Sequence, residues 1–182
     1  MRKTAFVLLV TASVAFCQSY YETQTLARTT FFSGIALAFG KSGLNPGVNA
    51  CLEPVKKINS YLSVGGHIDY TWFSASGLPA DTAVNLHAFD ISFVPKACWP
   101  LGKDKNITFE IDPGWYGILN YFHAGAYYET VFNKRFGLTT APGFTINNFS
   151  FAVKVKTIFT ESADSRYVKL IAWIALCAGI AL

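Results

Sequence analysis

The feature that most constrains the fold is a nearly perfect alternation of side-chain class at residues 149–159. Successive side chains of a β-strand point to opposite faces, so the run FSFAVKVKTIF predicts a strand with one apolar and one cationic face. The apolar face carries Phe149, Phe151, Val153, Val155 and Phe159, and the other carries Ser150, Lys154 and Lys156.

Two classes of β-sheet protein use such a strand. A soluble sheet turns the apolar face inward, toward its core. An outer-membrane β-barrel turns the apolar face toward lipid and the lysines toward its lumen. The remainder of the chain has to distinguish these two interpretations.

The N-terminus has the pattern of an export signal. Arg2 and Lys3 are followed by the uncharged, mostly apolar run 5–16, which is too short to span a bilayer as a helix. The small residues Ser13 and Ala15 favour cleavage after Ala15, and a second possible site lies after Cys17. Cys17 also ends a poor lipoprotein motif, because the large Phe16 precedes it. We therefore predict that residues 1–17 are a signal peptide.

Composition narrows the class further. Hydrophobic residues make up 52% of the 182-residue chain and aromatic residues 16%, whereas charged residues make up only 14%. The formal net charge of +4 falls when Arg2 and Lys3 leave with the signal, so no nucleic-acid partner is expected. Cys51 and Cys98 are the only cysteines placed to pair within the folded body, and no metal-type cysteine spacing occurs.

The body resolves into about eight short alternating segments separated by polar or Gly/Pro-rich breaks, with no convincing helix between them. This pattern predicts an all-β, antiparallel up-and-down barrel, because closure removes exposed sheet edges. The predicted strands are 30–39, 48–55, 61–73, 84–94, 106–112, 124–132, 136–141 and 149–159.

The alternation assigns side chains to two faces. If the sheet closes into a membrane barrel, ionisable residues share the lumen and form a charge-paired network, because buried ions require partners. The predicted lumen network is Glu53, His67, Asp69, Asp90, Glu110, Lys154 and Lys156. The predicted lipid-facing set is Leu62, Ile68, Phe89, Phe109, Phe151, Val153 and Phe159.

Catalytic and binding sites are not indicated. His67 and Asp69 share a strand face, with His87 and Asp90 on the next strand, but no nucleophile elbow accompanies them. We predict no catalytic residues, no metal site and no cofactor. Residues 120–123 and the pair Trp115 and Tyr116 fit a ligand-contact patch at the extracellular rim. An interfacial aromatic girdle explains Trp72, Trp115, Tyr116 and Tyr121 at least as well.

The body resembles the small outer-membrane β-barrel domain superfamily of Gram-negative-type bacteria, the porin-like and opacity-type proteins. The resemblance rests on residues 45–54, 59–70 and 99–109, and on a closing strand that ends at the aromatic Phe159. It covers residues 28–159. It implies an eight-stranded monomer in outer-membrane lipid, assembled by machinery that recognises the C-terminal strand.

Residues 160–182 depart from the family pattern, because family members usually stop at the terminal aromatic residue. After a polar stretch, the segment from Tyr167 onward is apolar apart from Lys169 and lacks alternation. It therefore predicts a short helix of unknown role, too short to cross a bilayer. Such a helix lies in the membrane interface or packs on the lipid face of the barrel, or the segment is a read-through product without a function.

Two functional hypotheses follow. The first is an integral outer-membrane barrel with a structural, adhesive or barrier role and no catalysis. The second is a secreted or periplasmic soluble β-barrel that binds an apolar ligand, as lipocalin-like proteins do. They predict opposite burial of the apolar and charged sets.

Overall fold

The fold is built from eight β-strands. The computed structural model describes residues 27–39, 44–75, 82–159 and 172–181. The predicted signal peptide lies outside the described residues. The strands are β1 (Ala27–Phe39), β2 (Gly47–Lys57), β3 (Leu62–Ser74), β4 (Thr82–Gly102), β5 (Lys105–Ala124), β6 (Tyr127–Ile146), β7 (Phe149–Phe159) and β8 (Ala172–Ala181).

The strands close into one antiparallel up-and-down barrel in sequence order. Each strand pairs with its neighbours in the chain, and β8 pairs with β1 to complete the ring, from Thr30 opposite Ala181 to Phe39 opposite Ala172. Closure gives the terminal strands partners on both sides, which an open sheet cannot do. The predicted all-β barrel of about eight strands is confirmed.

The expectation for the C-terminal segment is wrong. Residues 172–181 are not a helix outside the barrel but the strand β8, which pairs with β7 as well as with β1. Its alternation is hidden because its inward positions are themselves apolar: Trp173, Ala175 and Cys177 are buried, while Leu176 and Ile180 are exposed. The barrel therefore ends with β8, and Phe159 ends the strand before it.

Two predicted strand boundaries are also wrong. The segments 124–132 and 136–141 belong to a single strand, β6, because the polar residues between them continue the alternation. The turn lies earlier, at Gly125, whose φ of 58° favours glycine. The predicted break at 95–105 is a continuation of β4 to Gly102, followed by a tight turn.

The barrel has two different ends. At one, which we call the tight-turn end, short connections join β2 to β3, β4 to β5 and β6 to β7, and the first residue of β1 and the last of β8 lie there. At the opposite loop end, β5 and β6 form a long hairpin. Residues 127–135 of β6 extend past Phe159, the last residue of β7.

Helices contribute nothing to the described part of the chain. None of the segments 27–39, 44–75, 82–159 and 172–181 contains a helix with the length and apolar composition needed to cross a membrane.

Two matched substitutions test the placement of β8. Ala175 is fully buried and faces inward, whereas Ala178 on the same strand is exposed. We expect Ala175→Leu to lower the free energy of unfolding by about 1–3 kcal/mol because it overpacks the interior. Ala178→Leu should leave it nearly unchanged. Urea unfolding in detergent micelles measures both, and equal behaviour of the two variants would contradict the pairing of β8.

Candidate functional site: the ion-paired interior and the apolar outer surface

The outer surface of the barrel is apolar. All seven side chains predicted to face lipid point outward, with exposed fractions between 37% and 60%. They share this face with large apolar side chains of β1 and β8, among them Ile35 and Leu176. A continuous apolar exterior of this extent is unusual for a soluble monomer.

The apolar surface forms a band with aromatic residues at its edges. Phe149 and Phe159, the outward ends of β7, are ten residues apart. At about 3.3 Å per residue and a tilt of about 40°, they bracket a band about 25 Å high. Phe159 stacks on Phe136 at 6.3 Å between ring centroids, and Phe136 meets Trp115 at 5.6 Å.

The predicted aromatic girdle is correct in part. Trp115 and Tyr121 are exposed and Trp72 is partly exposed, so these three rings lie on the outer surface. Tyr116 points into the barrel, where its side chain is buried and its hydroxyl lies 2.5 Å from Thr139 Oγ1. Tyr116 therefore belongs to the interior and not to the girdle.

All seven residues of the predicted lumen network are buried in the interior. The structure divides them between two ion groups. The first ion group consists of Glu53, Glu110, Lys96 and Lys154. Lys96 pairs with Glu53 and lies 2.7 Å from Glu110, and Lys154 Nζ lies 3.4 Å from the second oxygen of Glu53.

The second ion group consists of Asp69, Asp90, Lys156 and His67. Lys156 pairs with Asp90 and lies 2.8 Å from Asp69 Oδ1. His67 Nε2 lies 2.5 Å from Asp90 Oδ1. Because Asp69 also accepts a 2.6 Å hydrogen bond from Asn49, this group joins strands β2, β3, β4 and β7.

Sequence reasoning missed two members of the interior. Lys96 was overlooked because it follows Pro95, inside the predicted break. Asp112 is fully buried, and His67 Nδ1 lies 3.6 Å from Asp112 Oδ2. Asp112 could have been assigned to the interior, because it lies two residues after Glu110 and therefore on the same face of the strand. The interior thus holds five carboxylates and three lysines among the described residues.

Toward the loop end, aromatic side chains fill the interior. The fully buried Trp173 of β8 meets Tyr116 at 5.8 Å and Phe73 at 6.4 Å, both edge to face. Lys156 Nζ lies 5.7 Å from the Trp173 ring, so the indole also covers the second ion group. An eight-stranded barrel has just enough interior for side chains, and here they occupy it.

The three cysteines in the described part of the chain are not linked. Cys51 and Cys98 are both free, and Cys177 is free as well. Cys51, Glu53 and His67 bring ligand atoms within 4.8 Å of one another, a grouping that could in principle hold a metal. Lys154 Nζ lies 3.1 Å from Cys51 Sγ and 3.4 Å from Glu53, so an ammonium already supplies the cation there.

The histidine and aspartate residues of β3 and β4 lie on both faces of the barrel wall. His67 and Asp90 are in contact, and both are buried inside the closed barrel. Ser92, on the same strand face as Asp90, donates to that carboxylate at 3.4 Å and not to the imidazole. His87 is on the outer face, where its Nδ1 lies 2.7 Å from the hydroxyl of Tyr70.

Comparison with solved structures identifies the class of fold. The chain is similar to Neisserial surface protein A (NspA), with a TM-score of 0.58 at 14% identity over 85% of this chain and 95% of that one. It is also similar to Ail, the attachment invasion locus protein of Yersinia pestis, with a TM-score of 0.51 at 10% identity over 86% and 97%. At these identities the likeness establishes the fold.

A second Ail structure, in complex with the heparin analogue sucrose octasulfate, gives a TM-score of 0.52 at 12% identity over 86% of this chain and 97% of that one. No protein-family model and no curated protein matches the chain. The chain therefore has the closed eight-stranded fold of these surface barrels.

Lys156 provides the sharpest test of the second ion group. We expect Lys156→Met to lower the free energy of unfolding by about 3–5 kcal/mol, because it leaves Asp69 and Asp90 buried without their cation. Adding Asp69→Asn and Asp90→Asn should restore part of the loss. Denaturant unfolding followed by tryptophan fluorescence measures this, with Lys134→Met on the exposed exterior as the control. Equal stability of the two lysine variants would refute the ion group.

Proposed function

We propose that the protein is an integral outer-membrane β-barrel that presents its loop end at the cell surface. The observation that carries the proposal is the outward apolar band, about 25 Å high and edged by aromatic rings, which matches the lipid-facing band of outer-membrane barrels. Short turns at one end are typical of the periplasmic side of such barrels, so the tight-turn end faces the periplasm.

The distribution of side chains favours this function over a soluble, ligand-binding barrel. A lipocalin-like protein encloses an apolar cavity and exposes its charges. Here the apolar set points outward, and the interior is occupied by ion groups and by the rings around Trp173. The ion groups and the aromatic rings together leave no apolar cavity for a ligand among the described residues.

A structural or adhesive role fits the filled interior. The buried ion pairs and aromatic rings block the lumen, so the barrel serves as a rigid support and not as a pore or an enzyme. The β5–β6 hairpin extends past β7 and carries exposed aromatic side chains, including Tyr127 and Tyr128. The shared fold with Ail, an attachment invasion protein, supports surface attachment through this end.

Assembly follows from the position of β8. The family resemblance placed recognition by the assembly machinery at the strand ending at Phe159, but the strand that closes the ring is β8. We therefore assign that recognition to Ala172–Ala181, whose outward residues Ile174, Leu176 and Ile180 keep the apolar alternation.

Two neighbouring positions distinguish the lipid face from the interior. In a background with the native cysteines replaced by alanine, Ile68→Cys places a thiol on the outer face. Ser92 of β4 pairs with His67, the residue before Ile68, and Ser92→Cys places a thiol inside the barrel. A fluorophore attached at position 68 should be quenched by nitroxides within the acyl chains of surrounding phospholipid. The thiol at position 92 should react with a maleimide only after unfolding. Absence of quenching at position 68 would contradict membrane insertion.

Electrical recording tests the blocked lumen. We expect purified protein in a planar bilayer to give no unitary conductance steps of porin size, because side chains fill the interior of an eight-stranded barrel. A matched porin preparation in the same lipid serves as the positive control. Reproducible steps that scale with protein concentration would show an open path through the ion groups.

A further inference from the structure

The exposed charges of the barrel are distributed unevenly. At the tight-turn end, five basic residues lie beyond the apolar band, and the one described acidic residue beside them is Asp104. We call the five basic residues the basic rim: Arg28, Lys56, Lys57, Lys103 and Lys105. The interior shows the opposite balance, with carboxylates in excess over lysines.

Four side chains of the rim, Arg28, Lys57, Lys103 and Lys105, form no ion pair with a carboxylate of the described residues. Lys57, Lys103 and Lys105 are exposed. Arg28 donates to the backbone carbonyl of Asn147 at 2.5 Å and to Asn148 Oδ1 at 3.1 Å, which are neutral acceptors. The positive charges of Arg28, Lys57, Lys103 and Lys105 are therefore available to an external anion.

The rim borders the apolar band directly. Trp99 and Phe149, each at least half exposed, lie on the outer surface within a few residues of the tight turns at this end. Basic side chains next to an aromatic edge of a lipid-facing surface are positioned at the depth of the headgroups, with their stems along apolar surface.

A shallow, open groove lies on the outer surface of the barrel. It has a volume of about 560 Å³, and its walls come from β6, β7 and β8, with Pro142, Phe151, Leu176 and Ala178 among the lining residues. Phe144 and Phe151, which pair across its walls, are each three residues from the β6–β7 turn, whose Asn147 and Asn148 accept hydrogen bonds from Arg28. An apolar groove beside a cationic rim is complementary to an acyl chain that carries an anionic headgroup.

We infer that the basic rim binds the headgroups of anionic phospholipids in the leaflet at the tight-turn end of the barrel. The inference rests on the proposed membrane function, since it requires the apolar band to lie in a bilayer. Several basic residues near one lipid surface give an electrostatic preference that adds across residues and weakens as salt screens it. The rim thereby also fixes the depth of the barrel in the membrane.

Lipid selectivity tests the inference. The full chain is refolded into vesicles of phosphatidylcholine and phosphatidylglycerol, and electron paramagnetic resonance measures the motionally restricted fraction of each spin-labelled lipid. For the unaltered protein we expect phosphatidylglycerol to be preferred at least about threefold. The triple variant Lys57→Gln, Lys103→Gln, Lys105→Gln should approach equal association, as should the unaltered protein in high salt. Lys134→Gln, an exposed outward lysine on the loop-end hairpin, should retain the preference.

The outcomes separate the two proposals. Restricted lipid with the same selectivity in the triple variant and the unaltered protein would overturn the role of the rim while leaving membrane insertion intact. Loss of selectivity in Lys134→Gln but not in the triple variant would place the anionic contact at the loop end and would also overturn it. The absence of any restricted lipid would overturn the membrane function itself.

Discussion

The whole structure depends on the pairing of β8 with β1. A barrel with an apolar exterior can exist in lipid only if its backbone donors and acceptors are paired between strands, because lipid offers them no partner. Without Ala172–Ala181, both β1 and β7 would become open edges, and the apolar band would surround an unclosed sheet. The segment that looks least like an amphipathic strand is therefore the one that completes the ring.

The interior follows from that closure. Once the ring is complete, five carboxylates and three lysines lie away from water, and each lysine is positioned to neutralise carboxylates of other strands. β8 also supplies Trp173, whose ring covers Lys156 and packs on Tyr116 and Phe73. The strand that completes the hydrogen-bonded ring therefore also covers the ion groups on the side of the loop end. The packing of Trp173 and the pairing of the buried charges both favour the same closed barrel.

The sequence predicted the faces of the strands better than their limits. Period-two alternation is a local property, so Glu53, His67 and Asp90 could be assigned inward and Ile68 and Phe151 outward without knowing the strand partners. Strand limits depend on pairing across the sheet, which a local pattern does not contain. For this reason the polar run 133–135 suggested a turn although it continues β6.

The failure at β8 has a different physical origin. Its inward positions lie between apolar residues of β1 and the lysines of β7, and they are themselves apolar: Trp173, Ala175 and Cys177. A strand that is apolar on both faces carries no period-two signal, and composition rich in alanine and leucine then favours helix. The inward position of Lys96 was hidden for another reason, because the adjacent Pro95 suggested a break in the strand.

Amide hydrogen exchange of the refolded protein in detergent micelles tests the central claim most directly. If β8 closes the barrel, the amides of Ala172–Ala181 that bond to β1 and β7 should exchange as slowly as those of the strands on either side. Exchange of these amides within minutes, while β1 and β7 remain protected on their other edges, would contradict the closed eight-stranded barrel.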